Sequence, residues 1–191
     1  KSCNSSFANI GMSLDRDKFG KTLNELLYNE KLPLDINYNV SKLTVDGSLS
    51  DYDMSQISIG QGNATISPIQ LNMITNAIAN NGILMKPMFI TEVVDANNMI
   101  IKEYKAEEYK RLLSEDEATV MKELMAEVVE KGTATKLQSE YYTAAGKTGS
   151  AEYNGVKEDS HAWFTGFAPA DEPEIAVTII IEGIGSGGDY A

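Results

Sequence analysis

Lys147, Thr148 and Gly149 stand side by side in the stretch TAAGKTGSAEYNG, Thr143 to Gly155, which otherwise reads as a β-strand with small residues on both flanks. Neighbouring residues of a strand point to opposite faces. A lysine and a threonine can therefore serve one site only where the strand is an edge and the site wraps round it. An edge of that kind suits a peptide, whose backbone can pair with it as an added strand. The Lys147 ammonium and the Thr148 and Ser150 hydroxyls can then receive a carboxylate at the peptide's end. Gly149 has no Cβ, so a ligand can lie close to the backbone there. Read alone, the tripeptide is better taken as a surface lysine in an ordinary strand, since three common residue types recur by chance. A second polar pair opens the chain, where Ser2 and Asn4 flank Cys3 ahead of the apolar, helix-like SSFANIGM. Taken alone, a hydroxyl and a carboxamide at the head of a helix read as a cap.

Other candidates carry less chemistry. His161 is the only histidine, and its place just before an aromatic strand reads as packing or capping rather than as part of a Ser-His-Asp triad. GIGSGG, Gly183 to Gly188, satisfies the glycine spacing of a dinucleotide loop, but the chain ends before a helix or an acidic partner can follow it. Trp163, Phe164 and Phe167 read as core or sheet-face residues. The acidic run Glu115, Asp116, Glu123, Glu127 and Glu130 reads as a solvated helix face, with its first members favourably placed at the helix N-terminus.

Composition narrows the class of partner. The 191 residues are 42% hydrophobic, enough for a real core, and carry a formal net charge of −12. Nothing resembling a basic stripe is present, which argues against nucleic acid as a partner. Cys3 is the sole cysteine, so an intrachain disulfide and a cysteine-based zinc site are both excluded. No apolar run approaches the roughly 18 residues that span a bilayer. Any membrane attachment is expected to lie in an anchor outside this sequence.

The elements that must hold these residues alternate between helix and strand in a single domain. Asp15 N-caps a helix reaching Leu27, with Phe19, Leu23, Leu26 and Leu27 on one face. From Tyr28 to Gly62 the pattern dissolves into a long polar connection. Ser67, Pro68 and Gln70 supply a capping box for a helix that runs to Gly82. ILMKPMFITEVVD and MIIKEYK form a hairpin around Ala96, Asn97 and Asn98. Ser114 and Glu117 form a second capping box, before a helix whose apolar face is Val120, Met121, Leu124, Met125 and Val128 and which stops at Gly132. Three strands follow, Thr143 to Tyr153, AWFTGFAP and EIAVTIIIE, the first two joined through an Asn154-Gly155 turn. The fold class is α+β, an antiparallel β-sheet covered by helices.

Taken together, Ser-Cys-Asn and Lys-Thr-Gly resemble two of the three signature motifs of the penicillin-binding protein and serine β-lactamase superfamily. IGQGNATISPIQLNMITNAIANNG and HAWFTGFAPADEPEIAVTIIIEG resemble longer stretches of the class B, high-molecular-weight penicillin-binding proteins, and the likeness covers nearly the whole chain. It implies a D,D-transpeptidase that cross-links peptidoglycan stem peptides ending in D-Ala-D-Ala, is acylated by β-lactam antibiotics, needs no cofactor and works at the extracytoplasmic face of the cell membrane. By the same resemblance Ser2 relays a proton and Asn4 holds the substrate amide. Lys147, Thr148 and Ser150 secure the carboxylate, Gly149 admits the acyl group, and the Ser150 N–H is an oxyanion-hole donor. One departure matters: the family's nucleophile sits in Ser-x-x-Lys, and no lysine here has a serine three residues before it. Thr119 to Lys122 and Thr133 to Lys136 come nearest, and both read as structural. The chain is thus expected to be residues 1–191 of a partial transpeptidase domain, without the nucleophile segment and the last helix, and inactive alone. A serine β-lactamase or β-lactam sensor shares both tripeptides. However, Ser2 and Lys147 are 145 positions apart, long for a compact β-lactamase, and no Glu-x-x-Leu-Asn signature appears. A non-catalytic module binding peptide or cell wall is the third reading.

Overall fold

The computed structural model describes residues 2–153 and 160–190, so the expected Asn154-Gly155 turn lies outside the described residues. Among the described residues six helices, α1 (Asn4–Ser13), α2 (Arg16–Glu25), α3 (Asp51–Ser58), α4 (Pro68–Ala79), α5 (Glu115–Lys131) and the short turn α6 (Gly187–Tyr190), are combined with seven strands. The strands are β1 (Ile83–Met85), β2 (Glu92–Val94), β3 (Ile100–Glu103), β4 (Glu108–Arg111), β5 (Ala145–Ala151), β6 (His161–Ala168) and β7 (Ile175–Ile181). β5, β6 and β7 form an antiparallel sheet in that order, while β1 pairs with β4 and β2 with β3. The α+β architecture with helices on an antiparallel sheet is as expected.

One face of the main sheet is the helix-covered one. Ala145, Phe167 and Ala176 lie in one cross-strand row, and Ile78 of α4 and Met125 of α5 pack onto it. One row further along, the Thr165 hydroxyl meets Thr75 of α4 at 2.6 Å and Thr178 of β7 at 2.7 Å. Three hydroxyls in contact satisfy one another where burial removes water, and so fix α4 on the sheet as well as packing does. Ile175, Val177 and Ile179 alternate onto the opposite face of β7, which is exposed.

Three corrections to the expected elements have local causes. The Tyr28 to Gly62 connection contains α3, capped by the Ser50 side chain on the Asp53 N–H and burying only Met54, too short a stripe to read by periodicity. The first hairpin arm is two strands. Pro87 has no N–H to give a ladder, and the chain leaves β1 there before β2 begins, so β1 and β4 enclose the smaller β2–β3 hairpin. In α5 the buried residues are Ala118, Met125 and Val129, whereas Val120, Met121 and Leu124 are exposed: the helix has two apolar stripes, and the one beginning with a small residue fits against the sheet. The Ser114–Glu117 capping box is present in full. At α4 the Ser67 side chain accepts from the Gln70 N–H, but Gln70 does not reciprocate. Ser41 Oγ takes the Ser67 N–H, and the buried Gln70 carboxamide donates to the Leu26 carbonyl.

α1 and α3 touch at Gly11. A Cβ there would lie 1.7 Å from Ser58 Oγ and 2.4 Å from its Cβ, so only glycine permits the approach. We expect Gly11→Ala to destabilise the chain by about 1–3 kcal/mol in urea unfolding, as overpacking does. Adding Ser58→Gly should recover part of that loss, and an unchanged midpoint would show that α1 is not held by this contact.

Candidate active site at the free edge of the sheet

Among the described residues β5 pairs with β6 on one side only, so its other edge carries no strand. In the register, Lys147 lies opposite Thr165 and shares the helix-covered face, whereas Thr148 and Ser150 point to the other. The lysine reaches the edge by folding back: Nζ donates to the Thr148 carbonyl at 2.6 Å. Half-buried there, its ammonium is held below the ordinary lysine range by desolvation. The open edge thus carries a cation from one face and two hydroxyls from the other, the wrapped geometry that adjacent Lys and Thr require. A Cβ on Gly149 would sit 3.2 Å from that of Trp163, so this small residue also relieves crowding against the neighbouring strand.

Neighbouring residues hold the two hydroxyls, and Thr133 and Gln61 among them line the same cleft. Thr133 Oγ1 lies 2.6 Å from Thr148 Oγ1, and the Gly187 N–H donates to Ser150 Oγ at 3.1 Å. Gln61 Nε2 donates to the Ser150 carbonyl at 3.3 Å. Gly187 comes this close because it lacks a side chain: a Cβ would fall 2.0 Å from the Gly149 oxygen. GIGSGG is therefore a packing turn, with φ of 63° at Gly183 and 102° at Gly185. The expectation that no helix or acidic residue follows its glycines is corrected by α6, where Asp189 pairs with Lys136 at 3.1 Å. Sequence reasoning missed Gln61, Thr133 and Gly187. The Thr133-x-x-Lys136 spacing, the GIGSGG run that holds Gly187 and the family-like stretch that holds Gln61 all drew attention, but for other reasons.

At the head of α1 the N-cap position belongs to Cys3, without a side-chain cap bond, so neither Ser2 nor Asn4 is the expected cap residue. Both are exposed and line the same cleft, of about 640 Å³, as Lys147, Thr148, Gly149 and Ser150. All six nominated residues therefore meet in one place, with Phe7 and Glu152 at its wall. His161 stands apart from that lining. Its Nδ1 accepts from the Gly183 N–H at 3.1 Å and its ring stacks on Tyr153 at 4.3 Å between centroids, which is packing. Among the described residues no cluster of His, Cys, Asp or Glu is arranged to hold a metal ion, and no helix is long and apolar enough to cross a membrane.

Chemically, the cleft combines a desolvated ammonium, hydroxyls two residues apart and the edge of a strand with no neighbouring strand among the described residues, which suits a peptide-like ligand with a carboxylate. The chain is similar to known proteins along most of its length. The chain is 30% identical over 191 residues to the peptidoglycan D,D-transpeptidase PbpA of Mycolicibacterium smegmatis, covering 99% of this chain and 38% of that protein. It is 31% identical over 148 residues to the peptidoglycan D,D-transpeptidase MrdA of Acinetobacter baumannii, covering 71% of this chain and 22% of the relative. It therefore spans well under half the length of these relatives. Among solved structures, the D,D-transpeptidase domain of a peptidoglycan glycosyltransferase from Eggerthella lenta superposes with a TM-score of 0.87 at 25% identity, over 95% of this chain and 46% of that one. The imipenem acyl-enzyme complex of penicillin-binding protein A from Mycobacterium tuberculosis does so with a TM-score of 0.84 at 26% identity, over 95% and 41%. The family model of the penicillin-binding protein transpeptidase domain matches residues 1–191. With that match along its whole length, this chain belongs to the penicillin-binding protein transpeptidase family.

Proposed function

We propose that residues 1–191 are part of the transpeptidase domain of a peptidoglycan D,D-transpeptidase, acting on stem peptides that end in D-Ala-D-Ala. The observation that carries this is the meeting of Ser2, Asn4, Lys147, Thr148 and Ser150 in one cleft along an open strand edge. A serine hydroxyl attacks the penultimate D-alanine carbonyl, the peptide bond breaks, and the terminal D-alanine leaves as its amine. An acceptor amine of a second stem peptide then takes the acyl group and frees the serine. That nucleophile is supplied by a Ser-x-x-Lys segment from outside these 191 residues, and a β-lactam takes the peptide's place by opening its ring on the same serine.

Within this scheme Ser2 passes a proton between the nucleophile's lysine and the leaving amine, and Asn4 holds the substrate amide. Lys147, Thr148 and Ser150 bind the terminal carboxylate, Gly149 gives the acyl group room, and the Ser150 N–H stabilises the oxyanion. The substrate places the working domain outside the cytoplasmic membrane, anchored by a segment beyond this sequence.

Penicillin labelling of the complete gene product, followed by mass spectrometry, tests the proposal. A serine outside residues 1–191 should be labelled and this chain alone should not. In the complete protein Lys147→Ala should slow acylation about ten- to hundredfold, the loss of one charged hydrogen bond, with unfolding little changed. Absent labelling in the folded complete protein would favour the non-catalytic module.

The pH dependence has a definite sign. Only charged Lys147 attracts a carboxylate, and burial lowers its pKa, so carboxylate-dependent acylation should begin to fall below the pH at which exposed lysines titrate. Lys147→Arg should carry that alkaline limb upward, and a limb insensitive to the substitution would assign it to another group.

A further inference from the structure

The Thr148 and Ser150 hydroxyls each have a single proton, and a carboxylate is an acceptor only. Each hydroxyl can therefore bind a carboxylate only if its proton is not spent inside the protein. At Ser150 the direction is fixed. Its partner is the Gly187 N–H at 3.1 Å, which can only donate, so the Ser150 oxygen accepts and its proton stays available to the cleft. Thr148 has a hydroxyl for a partner, Thr133 Oγ1 at 2.6 Å, and either oxygen of that pair can be the donor.

Thr133 is not a loose neighbour. The N–H groups on both sides of it, Gly132 and Ala134, converge on the Val128 carbonyl at 3.0 and 3.2 Å, and Ala134 is buried. The Gln138 carboxamide closes the same helix end on the Val129 and Glu130 carbonyls at 3.1 and 2.7 Å. The Lys136–Asp189 pair ties the following turn to α6, the element that brings Gly187 to Ser150. One framework at the wall of the cleft thus reaches both hydroxyls, displaying Thr133 to the first and Gly187 to the second.

We propose that Thr133 is a positioning residue for carboxylate recognition: its hydroxyl donates to Thr148 Oγ1, so that Thr148 turns its own proton to the ligand. When an acceptor-only carboxylate arrives, Thr148 must donate to it, and Thr133, exposed on the same cleft, then fills the Thr148 lone pair from beside it. The resulting chain, Thr133 to Thr148 to carboxylate, has all its hydrogen bonds running one way, which polarises and strengthens each of them. This rests on the transpeptidase reading, since it presumes that β5 receives a carboxylate.

The test compares second-order acylation rates of the complete protein by a penicillin with a free carboxylate and by its methyl ester. Thr133→Val keeps the shape and removes the hydroxyl. It should lower the preference for the free acid about three- to tenfold, the range of one ordinary hydrogen bond, while leaving the ester rate nearly unchanged. Thr133→Ser should restore the preference. Equal slowing of both compounds by Thr133→Val, or slowing of neither, overturns the inference while leaving the transpeptidase reading in place. A wild-type protein that neither compound acylates overturns both.

Discussion

The arrangement depends on β5 being paired along one edge and open along the other. A strand inside the sheet would spend the Thr148 and Ser150 backbone groups on a neighbour and leave Lys147 on one face with no route to the other. At the boundary, the Lys147 side chain folds round the edge to the Thr148 carbonyl and joins hydroxyls that point the opposite way. An exposed strand edge is ordinarily a hazard, since any extended chain can pair with it. Here the edge is partly occupied from within, by Lys147 on one carbonyl and Gln61 on the next but one.

Holding that edge in place requires rigid backing on both faces. On one face α4 and α5 seat on the row Ala145, Phe167 and Ala176, and the Thr75–Thr165–Thr178 hydroxyls register α4 against the strands. That chain of hydroxyls lies directly across from Lys147, so the residue that positions the cation's strand is itself fixed by a buried polar contact. The other face is approached by α6 through glycine, because the backbone of residue 187 must come within reach of Ser150. Packing and polar satisfaction thus act together: the apolar row sets the distance between layers and the hydroxyls set the register.

Charge works locally in this molecule rather than globally. A formal net charge of −12 would repel a carboxylate at long range, yet salt screens such fields over about 10 Å. Within the cleft the half-buried Lys147 and the Thr148 and Ser150 hydroxyls stand beside Glu152 and Asp189, the latter paired with Lys136. Most of the acidic residues of α5 and the Lys131–Glu127 and Lys131–Glu130 pairs are exposed, where ion pairs contribute little to stability.

Much of this was legible in the sequence because it is local. The Asp15, Ser67 and Ser114 caps, the three C-terminal strands, the α+β class and the six residues of the cleft follow from signals within a few positions of each residue. The stripe of α5 that faces inward, the division of the first hairpin arm and the eight-residue α3 do not, because each depends on what a neighbouring element already fills. The same holds at the site. Lys-Thr-Gly announces itself as three adjacent residues, but the stretches that hold Thr133, Gly187 and Gln61 point to other readings, and these residues acquire significance only by lying against β5. Sequence determined which residues are candidates for the chemistry, since residue type and short-range spacing are written in the chain. Tertiary structure decided what lies beside them, since contacts between residues as far apart as Gln61 and Ser150 arise only when packing closes the intervening chain.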